Sequence, residues 1–259
     1  MQEADRPLLD VRNLARRFGG LKAVDDLSFQ VRPNSIHGLI GPNGAGKTTT
    51  FNLISGFYAP TSGRILYAGR DVAGWRTSTL AAAGLVRTFQ TTTLFQEFSV
   101  LDNVRVGCHR SARAGFVSRL IGRDRSVEKA AQAKAWEAVE FFELADLAHE
   151  LAANLPHGHQ RALGMAVAFA AEPKLLLLDE PFTGMNAEET QRMMRHVRRL
   201  RDERGITMML VEHDMKAVMG LCEVITVMNF GRAIAEGTPE EVRGNPAVIE
   251  AYLGRADAA

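Results

Sequence analysis

Gly41-Pro42-Asn43-Gly44-Ala45-Gly46-Lys47-Thr48 meets the pattern G-x-x-x-x-G-K-[ST] at every fixed position. This octet constrains the fold more than any other feature of the chain. Its glycines let the backbone turn tightly enough for successive N–H groups to face one anion. A helix starting at Gly46 would aim its positive end at the same anion. Lys47 supplies a point charge for β- and γ-phosphates, and the Thr48 hydroxyl is a ligand for Mg²⁺. The flanks agree with this reading. Ser35–Ile40 is an apolar run of strand length, and Thr49–Gly56 has the pattern of a helix closed by glycine. Strand, loop and helix in that order belong to a parallel sheet with helices on its faces.

A phosphate loop that holds a metal also needs a carboxylate beside it. Leu175–Leu178 is an all-apolar run bounded by Pro173 and by Asp179-Glu180-Pro181, as expected of a strand buried on both faces. Asp179 at its end would bind Mg²⁺ directly or through water, and Glu180, projecting to another side, would polarise an attacking water. Further strands are read at Leu8–Leu14, Leu27–Val31, Arg64–Ala68, Ile206–Val211, Val224–Asn229 and Arg232–Ala235. Helices are read at Ala187–Arg204, from about Asp214, and at Pro239–Arg243 and Pro246–Leu253. Between roughly 90 and 165 the spacing turns helical with few strand signals, which reads as an inserted helical subdomain.

The chain's 259 residues carry a net charge of +1, so its balance gives no reason to expect nucleic acid as a partner. That neutrality hides a segregation. Arg105–Lys129 holds seven bases and two acids, whereas Trp136–Glu150 holds five acids and no Lys or Arg. The two stretches read as solvated faces that partly neutralise each other, or as a basic patch for a membrane surface or partner loop. No apolar run approaches the ~20 residues of a membrane span. Met1–Arg6 lacks the apolar core of a signal peptide. Cys108 and Cys222, far apart and without metal-ligand spacing, read as reduced, buried thiols. These features describe a soluble, cytoplasmic chain that is not itself a channel.

Taken together, these motifs resemble those of the ATP-binding-cassette (ABC) ATPases over about Leu8–Gly254. The resemblance implies the P-loop NTPase fold of that family: an α/β cassette with a mainly parallel sheet core, an antiparallel β part and an inserted helical subdomain. One domain would span 1–259, with residues 1–90 and 166–259 as core and about 91–165 as insert. It implies ATP and Mg²⁺ as cofactors, with Gly41, Pro42, Asn43, Gly44, Ala45, Gly46, Lys47, Thr48 and Thr49 at the nucleotide. Gln90, in Arg87-Thr88-Phe89-Gln90, matches the family's glutamine and would sense metal and water. Metal ligands would be Thr48, Gln90 and Asp179. His213, in Val211-Glu212-His213-Asp214, matches the γ-phosphate histidine, and Phe18 the aromatic that stacks on adenine. Lys47, Gln90, Glu180 and His213 form the catalytic set.

The family signature L-S-G-G-Q becomes Leu155-Pro156-His157-Gly158-His159 here. Pro156 can still open a helix, and the N–H groups after it can still face a phosphate. His157 and Gly158 would meet the nucleotide of an opposing subunit in a head-to-tail dimer. Pro156 followed by a ring resembles the branched-chain amino-acid importers within the family. So do Thr183-Gly184-Met185-Asn186, Glu212–Met219 and the tail Glu236-Gly237-Thr238-Pro239 with Ala251-Tyr252-Leu253-Gly254. His159 stands where the motif has glutamine. Gly164 and Val167 replace a Glu and an Arg common in that branch, and a mid-helix glycine costs about 1 kcal/mol against alanine.

The resemblance implies an ATPase homo- or heterodimer, two transmembrane permease subunits, an extracytoplasmic solute-binding protein and no nucleic acid. Its place would be peripheral, on the cytoplasmic face of the cell membrane. A urea or amide importer of the same branch, a lipopolysaccharide or lipid exporter, and a non-transport ABC ATPase stay open as alternatives.

Overall fold

The computed structural model describes residues 6–88, 94–108 and 124–253. Two sheets and a helical layer make up this part. Strands β1 (Leu9–Phe18), β2 (Leu21–Val31), β4 (Ser62–Tyr67) and β5 (Arg70–Asp71) pair antiparallel in the order β2-β1-β4-β5. Strands β3 (Ile36–Ile40), β6 (Leu85–Arg87), β7 (Leu175–Asp179), β8 (Thr207–Val211), β9 (Val224–Asn229) and β10 (Arg232–Gly237) form the second sheet. Its order is β10-β9-β3-β8-β7-β6, parallel throughout except for the β9–β10 hairpin. The expected combination of parallel core and antiparallel β part is thus observed.

The apolar run of β7 splits by strand alternation into two cores. Leu175 and Leu177 face a cluster with Leu39, Phe51, Met209 and the antiparallel sheet. Leu176 and Leu178 face a second cluster with Ile36, Ile40, Met208 and the helices. The first core also takes in α1 (Lys47–Ile54) through Phe51, Leu53 and Ile54. The second contains α3 (Val100–Cys108), α4 (Asp124–Phe141), α5 (His157–Ala170), α6 (Ala187–Arg204) and α7 (Met215–Leu221). Short helices α8 (Pro239–Arg243) and α9 (Pro246–Leu253) close the described chain.

Three differences from the sequence reading have physical causes. The first hairpin is longer than expected, running to Phe18 and back from Leu21, because its outer half is an exposed ribbon of polar residues with register shifts. That half lacks the apolar alternation by which a half-buried strand is recognised. Helix α2 (Thr77–Ala83) and strand β6 are short, seven and three residues, and left no periodic signal. Helix α5 runs unbroken through Gly164 and across residue 165, where the sequence reading divides insert from core. Arg110, Arg113, Arg119 and Arg123 of the basic stretch lie outside the described residues. Both cysteines are free and buried, and burial raises both thiols' pKa.

Two histidines sit inside this framework. His37 on β3 shares a hydrogen bond with Thr226 Oγ1 at 2.8 Å, and burial lowers its pKa to about 4. His196 on α6 packs against Phe142, and neither ring nitrogen finds a hydrogen-bond partner among the described residues. Burial lowers its pKa too, with Glu143 opposing and Arg199, Arg195 and Arg192 assisting. Both rings are neutral in the fold but protonate in the unfolded chain near pH 6.5. The unfolded chain therefore binds more protons below that value, and stability falls as pH drops through 6.5 toward 4. His37 alone contributes about 3 kcal/mol of that loss. We expect His196→Leu to lose less melting temperature than the parent between about pH 7.5 and pH 5. Equal losses, read by thermal denaturation at both pH values, would refute the role of His196.

Candidate active site

Parallel pairing brings the ends of β3, β7 and β8 to one edge of the sheet, where ligands bind in such folds. The loop after β3 is the octet Gly41–Thr48, the residues ending β7 are Asp179-Glu180, and those after β8 are Glu212-His213. The loop is shaped for close approach: a Cβ at Gly41 would overlap the carbonyl oxygen of Met228. Helix α1 begins directly after Gly46, without a side-chain cap and without an acid in its first turn. Its N–H groups are therefore left for an outside anion. Lys47 Nζ donates to the carbonyls of Gly41 (2.6 Å) and Pro42 (2.9 Å), so its cation lies folded over the loop. Burial lowers the Lys47 pKa, and the charge of Glu180 pushes it back up. Asn43, Gly44 and Thr48 are exposed. An uncapped helix end and a cation folded over the loop suit the phosphates of a nucleotide.

Asp179 is almost fully buried and ion-paired with Arg87, Nη2 to Oδ2 at 2.6 Å. The same guanidinium donates to Asn52 Oδ1 (2.7 Å) and Ser55 Oγ (3.0 Å) at the end of α1. Arg87 thus ties the proposed metal carboxylate to the helix that follows the phosphate loop. Sequence reading passed over it, because an arginine at a strand end has no motif of its own. Together with Arg161 of α5, Arg87 and Asp179 line a cleft of about 340 Å³. The oxygen donors Thr48 and Asp179 suit a hard cation such as Mg²⁺. Gln90, the third expected ligand, lies outside the described residues.

Glu180 leaves the β-conformation. Its φ is +46°, a left-handed geometry that costs a non-glycine residue roughly 1–2 kcal/mol. That twist takes the carboxylate out of the strand's alternation, in line with the expected different direction. Its Oε2 lies 4.0 Å from His213 Nδ1 and accepts from Thr183 Oγ1 at 3.3 Å. The His213 side chain is 68% exposed. Phe18 ends β1 with Tyr58 edge-on at 5.4 Å and the Arg16 guanidinium 4.6 Å above its ring. Tyr58 and Arg16 were not singled out in the sequence, since aromatic clustering across a turn is a matter of folding.

The signature residues gather elsewhere in the same chain. Pro156 caps the N-terminus of α5, as expected. The His157 ring covers Gly184, with Cε1 3.0 Å from where a Cβ there would stand. Any side chain on Gly158 would overlap the Glu189 carboxylate. Glu189 in turn forms a capping box with Asn186, accepting from Asn186 N at 3.0 Å while Asn186 Oδ1 accepts from Glu188 N and Glu189 N. His159 turns inward beside His196, Glu143 and Glu189, and its Nδ1 is enclosed without a partner among the described residues.

A family model described as "ABC transporter" matches residues 24–183, and one described as "Branched-chain amino acid ATP-binding cassette transporter" matches residues 234–258. The chain is 44% identical over 253 residues to the high-affinity branched-chain amino acid transport ATP-binding protein LivG of Salmonella typhimurium, covering 97% of this chain and 99% of that protein. It is 42% identical, with the same coverage, to the corresponding protein BraF of Pseudomonas aeruginosa. Among solved structures, a nucleotide-free ATP-binding cassette from an ABC transporter superposes with TM-score 0.84 at 30% identity, covering 96% of this chain and all of that one. A cassette in its ADP conformation gives 0.83, also at 30% identity and with the same coverage.

Two outcomes follow from this geometry. Glu180→Gln is expected to bind ATP as the parent does and to lose steady-state phosphate release by at least about a hundredfold. Undiminished release would remove Glu180 from the role of base. His159→Gln, which replaces an enclosed ring outside the sheet edge, is expected to hydrolyse ATP at least as fast as the parent at neutral pH. A drop beyond about tenfold in the same assay would show that the imidazole is used.

Proposed function

This chain belongs to the family of ABC transporter ATP-binding proteins, and we propose that it is the ATP-hydrolysing subunit of an importer for branched-chain or other hydrophobic amino acids. The observation that carries the amino-acid reading is near full-length similarity to branched-chain transport ATPases, joined to the match of its C-terminal segment to their own family model.

In this reading the loop N–H groups, the N-terminus of α1 and Lys47 hold the β- and γ-phosphates of ATP, and the ring of Phe18 stacks on its base. Thr48, Asp179 and Gln90 would hold Mg²⁺, which would neutralise phosphate charge when bound. Glu180 polarises the attacking water and accepts its proton. His213, whose Nδ1 lies 4.0 Å from the Glu180 carboxylate, donates to the γ-phosphate. Catalysis of this kind is positioning and charge stabilisation, so the rigidity of the sheet edge is its main requirement. His157 and Gly158 serve the nucleotide on an opposing cassette in a head-to-tail dimer.

Among the described residues no helix is long and apolar enough to cross a membrane. Transport in this reading therefore needs permease subunits, with the cassette peripheral on the cytoplasmic face and an extracytoplasmic solute-binding protein delivering the solute. A docking surface for the permeases is supported by Phe95 and Phe98, which stack at 5.1 Å while 52% and 45% exposed. Buried Asn103 holds them out. Its Nδ2 donates to the carbonyls of Phe95 (3.0 Å), Phe98 (3.3 Å) and Ser99 (2.9 Å), and its Oδ1 accepts from Phe95 N (2.9 Å). Two exposed rings held by a fully bonded buried amide suit an interface better than solvent.

The test is reconstitution of the chain with its permeases in vesicles, supplied with leucine or urea and the cognate binding protein. Leucine is expected to stimulate ATP hydrolysis and to be taken up, and urea is not. Stimulation by urea alone would reassign the solute. The double substitution Phe95→Ser and Phe98→Ser is expected to keep the ATP affinity of the isolated chain while abolishing uptake. Unchanged uptake would move the docking surface elsewhere.

A further inference from the structure

Glu212 precedes the exposed His213, yet its own side chain is only 1% exposed. A carboxylate so buried is costly to keep charged unless it is hydrogen-bonded. It accepts hydrogen bonds from three main-chain N–H groups, and those groups belong to two different segments. Oε1 accepts from Phe182 N at 2.9 Å. Oε2 accepts from His213 N at 2.9 Å and from Asp214 N at 3.3 Å. Bonds from N–H groups to an ionised carboxylate are among the stronger kind.

Where those segments lie gives the bonds their meaning. Strands β7 and β8 pair in parallel up to Asp179 opposite Val211, and one further backbone bond runs from Glu180 N to Val211 O at 2.9 Å. Beyond that point Glu180 adopts its left-handed φ and the two chains part. The Glu212 side chain then spans them, anchoring Phe182 on one side and His213 on the other. It does so where the gap between Glu180 Oε2 and His213 Nδ1 is set at 4.0 Å. Arg161, which comes from the signature helix α5 and donates to Thr183 O at 3.5 Å, adds its charge to the same place. Burial lowers the Arg161 pKa, while Glu212 and Glu180 raise it.

We propose that Glu212 is a positioning residue that extends the β7–β8 pairing by one side-chain rung and so fixes Glu180 against His213. The proposal rests on the reading of Glu180 as base and His213 as γ-phosphate donor. Glu212, 1% exposed and with its Oε2 3.8 Å from His213 Nδ1, acts through the groups on either side of it and sets where they stand. Losing the rung should slow the chemical step and leave nucleotide binding intact.

The experiment compares Glu212→Gln and Glu212→Asp with the parent chain. The glutamine is isosteric but turns an amide NH₂ toward one of the two donor sets. The aspartate keeps the charge and falls short of spanning both. In Glu212→Gln, kcat is expected to fall by about tenfold or more with the ATP dissociation constant within about twofold. Glu212→Asp is expected to fall between that variant and the parent. A second measurement needs no nucleotide: amide hydrogen exchange of the parent chain and of Glu212→Gln. The N–H groups of Phe182, His213 and Asp214 are expected to be protected, and in Glu212→Gln at least one segment loses that protection. Full kcat in Glu212→Gln overturns the proposal, as does exchange of those three parent amides at unprotected rates. Glu180→Gln and His213→Ala serve as controls. If they turn over normally, the reading of the site fails. If they are dead while Glu212→Gln is fully active, only the rung fails.

Discussion

Leu175–Asp179 lies between β6 and β8 with every residue buried, and the placement of each reacting group follows from that burial. A slip by one residue would still turn leucine to both cores, but it would draw either exposed Lys174 or Asp179 into a place that a leucine fills, and that holds the register. Its end is therefore fixed relative to β8 and, through β8, to β3. Asp179, the phosphate loop and His213 inherit their spacing from this register. The buried Arg87–Asp179 pair adds a second tie, from the end of β7 to the far turn of α1. Breaking such a pair by removing one partner costs about 3–5 kcal/mol, because the remaining charge is left stranded. The sheet edge is thus held both by packing and by charge.

Much of this was readable from residues alone. Phosphate binding needs glycines and a lysine at fixed spacing, so Gly41–Thr48 announces itself. A strand buried on both faces must be continuously apolar, so Leu175–Leu178 does as well. His213 could be placed because it follows such a strand. Arg87 and Glu212 could not. Their importance lies in partners far along the chain, 92 residues away for Asp179 and 30 for Phe182, and spacing carries no trace of that. The outer half of the β1–β2 hairpin was hidden for a different reason: it is paired but not buried, and periodicity reports burial.

The altered signature is better understood from its contacts than from its letters. His157 in place of a glycine is accommodated by Gly184, whose φ of +81° leaves no side chain under the ring. Gly158 is kept where the Glu189 carboxylate approaches, and Glu189 is itself held by the cap of α6 at Asn186. Asn186, whose side chain caps α6, belongs to the same arrangement. The start of α5 is thus seated against Gly184 at His157 and against the capped start of α6 at Gly158.

Helix α5 carries the signature residues at its first turn and ends against the aromatic cluster of Phe141, Phe142 and Phe169. Its 14 residues make a rod of about 21 Å. As a lever pivoting on that cluster, it would swing its tip by about 3.5 Å for a tilt of only about 10°, more than the length of a hydrogen bond. The carbonyls of Phe98 and Gln96 accept from Ala152 N and Ala153 N just before that tip, so a displacement arriving at the exposed phenylalanines enters beside the moving end and not at the pivot.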